Sequence, residues 1–302
     1  MRSHLYCLLT ICLFSTLEVS SKLLAGGISP QAIASWRFLI GGLVILPAAL
    51  KQVTTHKISF NLGSILKTGA LGILNVCISM LLLQWSVAWG KASLSAIIIS
   101  VNPIFVSMFA YLILKERLSL ITWLGMLVGL AGLLMIIWGE HTHWMESQNL
   151  ILGIGLACAA SVCFALYTVL AKRLVSQYGN LTINSLSFLI GSVVLMLIYT
   201  SQGKSVSFEL TTANILGLAW LGIFVSGLAY IMYFEGMKKL KASTASMYFF
   251  LKPVIASLLA WGLNHEKLSF IQISGIGVIL VSQFVSRQPA WLSRAFFPKA
   301  GA

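Results

Sequence analysis

Residues 91–125 read KASLSAIIISVNPIFVSMFAYLILKERLSLITWLG, and residues 241–275 read KASTASMYFFLKPVIASLLAWGLNHEKLSFIQISG. Adding 150 to a position in the first stretch lands on its counterpart in the second. Lys91-Ala92-Ser93 matches Lys241-Ala242-Ser243, Pro103 matches Pro253, Ser107 matches Ser257, Glu116 matches Glu266 and Gly125 matches Gly275. The same offset pairs Phe38-Leu39-Ile40-Gly41 with Phe188-Leu189-Ile190-Gly191, Lys22 with Lys172, and Leu71-Gly72 with Leu221-Gly222. A register held without a gap across most of both halves marks one unit, duplicated and fused.

The composition says where such a unit lives. Of 302 residues, 58% are hydrophobic and 9% charged, with a mean hydropathy of +0.93. Soluble domains carry about 25% charged residues, so this is the composition of a polytopic membrane protein. The net charge of +13 does not imply a nucleic-acid partner. Membrane proteins collect Lys and Arg in cytoplasmic loops, and no basic stretch here alternates with aromatic residues on a polar surface. Cys7, Cys12, Cys77, Cys158 and Cys163 all fall in apolar runs without CxxC spacing and read as small buried apolar residues.

A spanning helix needs about 20 mainly apolar residues. By that measure ten candidates run near 4–25, 31–50, 62–84, 92–114, 119–138, 150–171, 181–200, 212–235, 242–263 and 269–286. They divide into repeats over 5–138 and 150–286, with a linker over 139–149 and a cytoplasmic tail over 287–302. The first segment has the look of a signal peptide, but the repeat makes it the counterpart of 150–171 and argues that it is kept as a helix. With the N-terminus inside, four of the 20 Lys and Arg (Lys22, Lys91, Lys204, Lys267) lie outside. Arg37 and Lys252 lie within helices, and the rest are cytoplasmic, which puts both termini in the cytoplasm. Five helices per unit is odd, so the second unit enters the membrane inverted. Inverted repeats characterise secondary transporters, whose substrates bind near midplane between the halves.

The pattern Ala92-Ser93-Leu94, Pro103, Glu116-Arg117-Leu118 and Gly125, repeated as Ala242-Ser243, Pro253, Glu266-Lys267-Leu268 and Gly275, resembles paired EamA domains. So does Trp36-Arg37-Phe38. EamA domains belong to the drug/metabolite transporter superfamily. The resemblance implies an all-α, ten-helix transporter in a bacterial inner membrane, most often an exporter of amino acids or related metabolites. It also implies a cavity formed by helices one to four and six to nine, with five and ten outside. Two departures fall where substrate would be chosen. Position 252 is Lys where the first repeat has Asn102, and the third and eighth helices diverge after Gly72 and Gly222.

Several residues could carry transport. Glu18 is an ionisable group inside the first helix, where it must face a cavity or a partner. Lys22, one turn on, is the structural alternative. Arg37 can grip a carboxylate in a bidentate fork; the resemblance, which includes this Arg, favours a structural or gating role, such as a pair with Glu18. Lys252, the deepest cation, is expected to face water, substrate or Glu235 and to bias the cargo toward anions. Trp85, Tyr230, Tyr233 and Tyr248 are candidates for an aromatic lining of the pathway, against ordinary packing. Pro103 and Pro253 each remove a backbone donor mid-helix and are expected hinges. Glu116 and Glu266 are expected to anchor loops. Gly125, Gly129, Gly132 and Gly275 permit close helix contact, within the chain or across a homodimer seam.

A membrane enzyme needs a nucleophile with its base, or a metal site. Asp is absent, and no HExxH or GxSxG motif occurs. His141 and His143 alone make a weak metal signal. Without a P-loop there is no nucleotide site, and no cofactor or metal is expected. The reading is therefore a secondary transporter of a small metabolite, with export favoured over uptake, in which two inverted bundles rock about a central cavity.

Overall fold

The computed structural model describes residues 2–90, 92–139, 149–264 and 269–286. The interior of the expected linker, the tail and Glu266 lie outside them. The architecture is all-α. Among the described residues, eight helices are long and apolar enough to cross a membrane: α1 (Arg2–Leu24), α2 (Pro30–Thr55), α3 (Leu62–Trp89), α4 (Leu94–Leu114), α5 (Leu120–Trp138), α6 (Ile151–Tyr178), α7 (Asn180–Ser201) and α8 (Thr212–Met237). Next comes α9, built from Ala242–Ser246, a 3-10 turn over Met247–Phe250, and Leu251–Asn264. The last, α10 (Phe270–Ser286), is apolar and shorter. Most expected segments are present but run further than the apolar stretch, as α6 does to Tyr178 and α2 to Thr55. Backbone hydrogen bonding carries a helix past the point where its side chains turn polar.

Three of the helices that reach the centre, α1, α4 and α9, are interrupted there. In α1 the break falls between Arg2–Phe14 and Leu17–Leu24. The Ser15 hydroxyl donates back to the Ile11 carbonyl at 2.7 Å and Thr16 to Leu13 at 2.8 Å, a pattern that bends helices. In α4 the helix restarts at Asn102, so Pro103 occupies the first turn of a new half-helix (Asn102–Leu114). Its missing N–H costs nothing in that position. In α9 Pro253 is the third residue after the 3-10 turn. Each expected hinge thus lies just beyond an interruption rather than within a continuous kinked helix. Helices α3 and α8 carry π-helical segments, Ile73–Met80 and Trp220–Leu228, at nearly the 150-residue offset although their sequences diverge.

The two halves do not form separate bundles. Helix α2 packs on α7 and α8, α1 on α8 and α9, α6 on α3 and α4, and α5 on α10, so the main contacts cross between halves. Glycines make this possible, and they recur in register. A Cβ on Gly72 would lie 2.1 Å from the Ser187 carbonyl oxygen, and one on Gly191 2.5 Å from that of Gly72. Their counterparts Gly222 and Gly41 meet in the same way, with 3.0 Å from a Gly41 Cβ to the Gly222 oxygen. Gly132 and Gly275 are likewise close, since a Cβ on either would lie 2.8 Å from the carbonyl oxygen of the other. These two expected contact glycines are used within the chain, between α5 and α10.

Gly72→Ala is expected to destabilise the protein by about 1–3 kcal/mol, because the obstacle is backbone and cannot rotate aside. Gly155→Ala, with nothing within 4 Å of the new methyl, should be neutral or slightly stabilising. Thermal unfolding of the two purified variants compares them; an equal loss in both would contradict the close seam.

Candidate functional site

Three ionisable side chains meet where the interrupted helices cross. Glu18 occupies the first turn of the second half of α1, where the unsatisfied N–H groups of a helix start favour a carboxylate. Lys252 is the second residue of the Leu251–Asn264 half of α9. Its ammonium donates to Glu18 Oε1 at 2.5 Å, and the two side chains are 2% and 1% exposed. Lys252 therefore pairs with Glu18 and not with Glu235, which bonds Lys238 at 2.7 Å near the end of α8. Glu18 does not pair with Lys22, whose ammonium instead donates to the carbonyls of Val87, Ala88 and Gly90 at 3.2–3.4 Å.

Arg37, on α2, is fully buried, and its Nε, Nη1 and Nη2 have no hydrogen-bond partner. Its guanidinium carbon stands 4.4 Å from the Phe38 ring centroid. The expected pair with Glu18 is not formed, because Lys252 has taken that carboxylate; Glu18 Oε2 is itself buried and unpartnered. An ion withdrawn from water without a partner costs several kcal/mol, and ring-face contact recovers about 2 of them. Arg37 is the cation of this centre that makes no hydrogen bond.

Around these charges the wall is apolar, with aromatic rings beside Leu17, Met80, Leu83 and Ile99. Arg37 and Lys252 face a cavity of about 20 Å³ together with Phe14, Phe164, Tyr230 and Phe249. That volume holds about one water molecule, and Phe14, Arg37, Phe164, Tyr230, Phe249 and Lys252 are all buried, so the centre is shut off from solvent. Tyr230 packs edge-on against Phe14 at 5.2 Å and Phe188 at 4.9 Å, and Tyr233 against Phe249 at 5.8 Å. Two other candidates lie apart. Tyr248 bonds His4 Nδ1 through its hydroxyl at 2.8 Å, near the start of α1. Trp85 stacks on Trp89 at 5.7 Å, at the end of α3. Wider recesses of about 400 Å³ beside Lys67 and Arg173, and about 540 Å³ beside Tyr111 and Trp123, contain none of the three central charges.

One end of the bundle carries a polar latch. Glu116, after α4, bonds Lys172 of α6 at 2.7 Å and accepts from the Ala242 amide at 3.0 Å. Lys172 also donates to the Leu240 carbonyl at 2.8 Å, and Lys241 to the Arg117 carbonyl at 2.8 Å. Glu116 thus joins a loop of the first half to the helix start of the second. Lys172 was legible only as the repeat partner of Lys22, which grips Gly90 as Lys172 grips Leu240, its position plus 150. Asn102, the counterpart of Lys252, donates to the Ser161 carbonyl of α6 at 3.0 Å.

A family model described as the EamA-like transporter family matches residues 1–138 and again 151–287. A protein of Clostridium kluyveri, named only as an uncharacterized transporter, is 34% identical over 94% of this chain and 93% of its own length. One from Archaeoglobus fulgidus, named in the same words, is 26% identical over 94% and 98%. The inner membrane transporter YedA of Escherichia coli K12, also named uncharacterized, is 26% identical over 83% and 79%. A solved crystal structure shares the fold with a TM-score of 0.77 at 19% identity, covering 98% of each chain.

The buried trio predicts an asymmetric response to neutralisation. Glu18→Gln leaves two unpaired cations and should cost about 3–5 kcal/mol. Lys252→Met frees Glu18 to turn toward Arg37 and should cost less. The double variant should recover part of the Glu18→Gln loss. Thermal unfolding of the purified proteins gives the cycle; additive losses would mean that the pair is not coupled.

Proposed function

Because the chain belongs to the EamA-like transporter family, we propose that it is a secondary carrier that moves a small metabolite outward across a bacterial inner membrane. It works by alternating access, with both termini cytoplasmic and ten spanning helices arranged as two inverted five-helix repeats. The observation that carries this reading is the closed centre itself. Glu18 from the first half and Lys252 from the second join around a water-sized cavity beside Arg37. Charges at that depth are otherwise too costly to keep. The repeated match of the family model and the inward bias of Lys and Arg support the inverted arrangement.

Since the main contacts cross between halves, the moving bodies draw helices from both. The latch of Glu116, Lys172 and Ala242 is then the gate on the cytoplasmic side. Lys22 against Gly90 is the corresponding element on the outer side. The interruptions in α1, α4 and α9 supply the bending points, and Pro103 and Pro253 keep the second half-helices from fusing with the first.

Cells expressing the protein should release at least one metabolite that control cells retain, as seen by comparing the metabolites of the two media. On a background lacking the five native cysteines, a short reducible linker between Arg117→Cys and Lys241→Cys should stop that release. Reduction should restore it. Release that continues undiminished while linked would exclude a gate at this end.

A further inference from the structure

The closed centre contains a cation that no described residue hydrogen-bonds. Glu18, Arg37 and Lys252 are the acidic and basic side chains described there. Glu18 cancels Lys252 through Oε1, which leaves the trio at one net positive charge, located on Arg37. A guanidinium with a purely structural task would be expected to hold a carboxylate or backbone carbonyls, since those are what make its burial affordable. All three of its nitrogens are instead buried without a partner, beside a cavity walled by aromatic and aliphatic side chains, Phe14, Tyr230 and Ile99 among them. A planar fork of donors left free in such a place is a site for a planar acceptor.

We infer that Arg37 is the cargo-binding residue of this carrier and that it takes a single carboxylate, so the substrate class is small molecules with one net negative charge. This deepens the carrier reading and rests on it. The charge tally does the selecting. One carboxylate brings the occupied centre to neutrality. A zwitterion leaves it at plus one, a cation raises it to plus two, and a second carboxylate has nowhere to lie except against Glu18 or the rings. The unpartnered Glu18 Oε2 accepts a hydrogen bond, which suits a hydroxyl on the cargo. Lys252, the cation singled out by its depth in the sequence, is not the reader of negative charge, because Glu18 already occupies it. With a monocarboxylate bound, the opened centre is electrically neutral; closed and empty, it holds the unpartnered Arg37.

The test is thermal unfolding of the purified full-length protein in lipid nanodiscs, titrated with L-lactate, hexanoate, phenylacetate, L-alanine, lactamide, L-malate and sodium chloride. The expected result is a saturable rise in midpoint with one or more of the three monocarboxylates. No comparable rise should come from the zwitterion, the amide, the dicarboxylate or chloride. Arg37→Gln should abolish the response, and Arg37→Lys, which keeps the charge and loses the fork, should weaken apparent affinity by roughly ten- to hundredfold. Should Arg37→Gln not fold, Arg37→Lys is read in its place. The inference is overturned if lactamide, L-alanine, L-malate or chloride matches the best monocarboxylate, if no monocarboxylate acts, or if the response survives loss of the fork. Metabolite release separates this from the carrier reading. Release of a cargo without a carboxylate, unaffected by Arg37→Gln, sinks the inference and spares the carrier. Arg37-dependent carboxylate binding with no release of any compound does the reverse.

Discussion

The bilayer core offers no water to a backbone or side-chain polar group, and the Glu18–Lys252 pair shows how this chain answers that constraint. Each partner sits within a turn of a helix interruption, one after Thr16 and one after the 3-10 turn that ends at Phe250. The two requirements are linked. An interrupted helix exposes free N–H and carbonyl groups, which must be buried in protein or face a cavity. The lowest-cost place to put them is the place where charges also have to be hidden. Helix breaks and charges therefore converge on one small volume, and the rest of the fold is a shell of mostly apolar helix around it.

That shell is held by backbone proximity more than by large side chains. Apolar residues gain little by leaving lipid for protein, so helices associate where small residues allow close approach. The contacts of Gly72 with Gly191 and of Gly41 with Gly222 serve this purpose twice, once on each side of the internal symmetry. Because both seams join a helix of one half to a helix of the other, neither half has a complete interior of its own. The duplication is one of sequence; the packed object is interleaved.

Much of this could be read from the residues alone, and the limits of that reading have physical causes. Apolar runs of spanning length locate nearly every helix, since length against bilayer thickness is a one-dimensional criterion. The offset of 150 foresaw which glycines and lysines would play matching parts. The depth of Glu18, Arg37 and Lys252 marked them out because ionisable groups in lipid are expensive wherever they point. What stayed hidden was who pairs with whom. Glu18 and Lys252 are 234 positions apart, and no local pattern says that α1 crosses α9 there. Lys22 seemed the natural partner of Glu18 because it is one helical turn away; yet free carbonyls at the end of α3 hold it instead. The π segments were invisible for another reason: a π turn and an α turn need the same apolar side chains. Tyr248 and Trp85 look as deep in the sequence as Tyr230, but depth along a helix does not say which face turns inward.

The internal symmetry also shows how such a site can arise. In the offset register Lys252 corresponds to Asn102 and Glu18 to Thr168. The contact of α9 with α1 corresponds to that of α4 with α6, where Asn102 donates to the Ser161 carbonyl. A symmetric ancestor would have had the same polarity at both crossings. Here one crossing is neutral, with an amide reaching a backbone carbonyl, and the other is an ion pair. Charge has thus been concentrated on one side of the pseudo-symmetric centre, next to Arg37, whose own counterpart is Ser187. Duplication alone gives a scaffold with two matching halves. Three substitutions away from symmetry give that scaffold an electrical preference at its middle without disturbing the glycine contacts that hold it together.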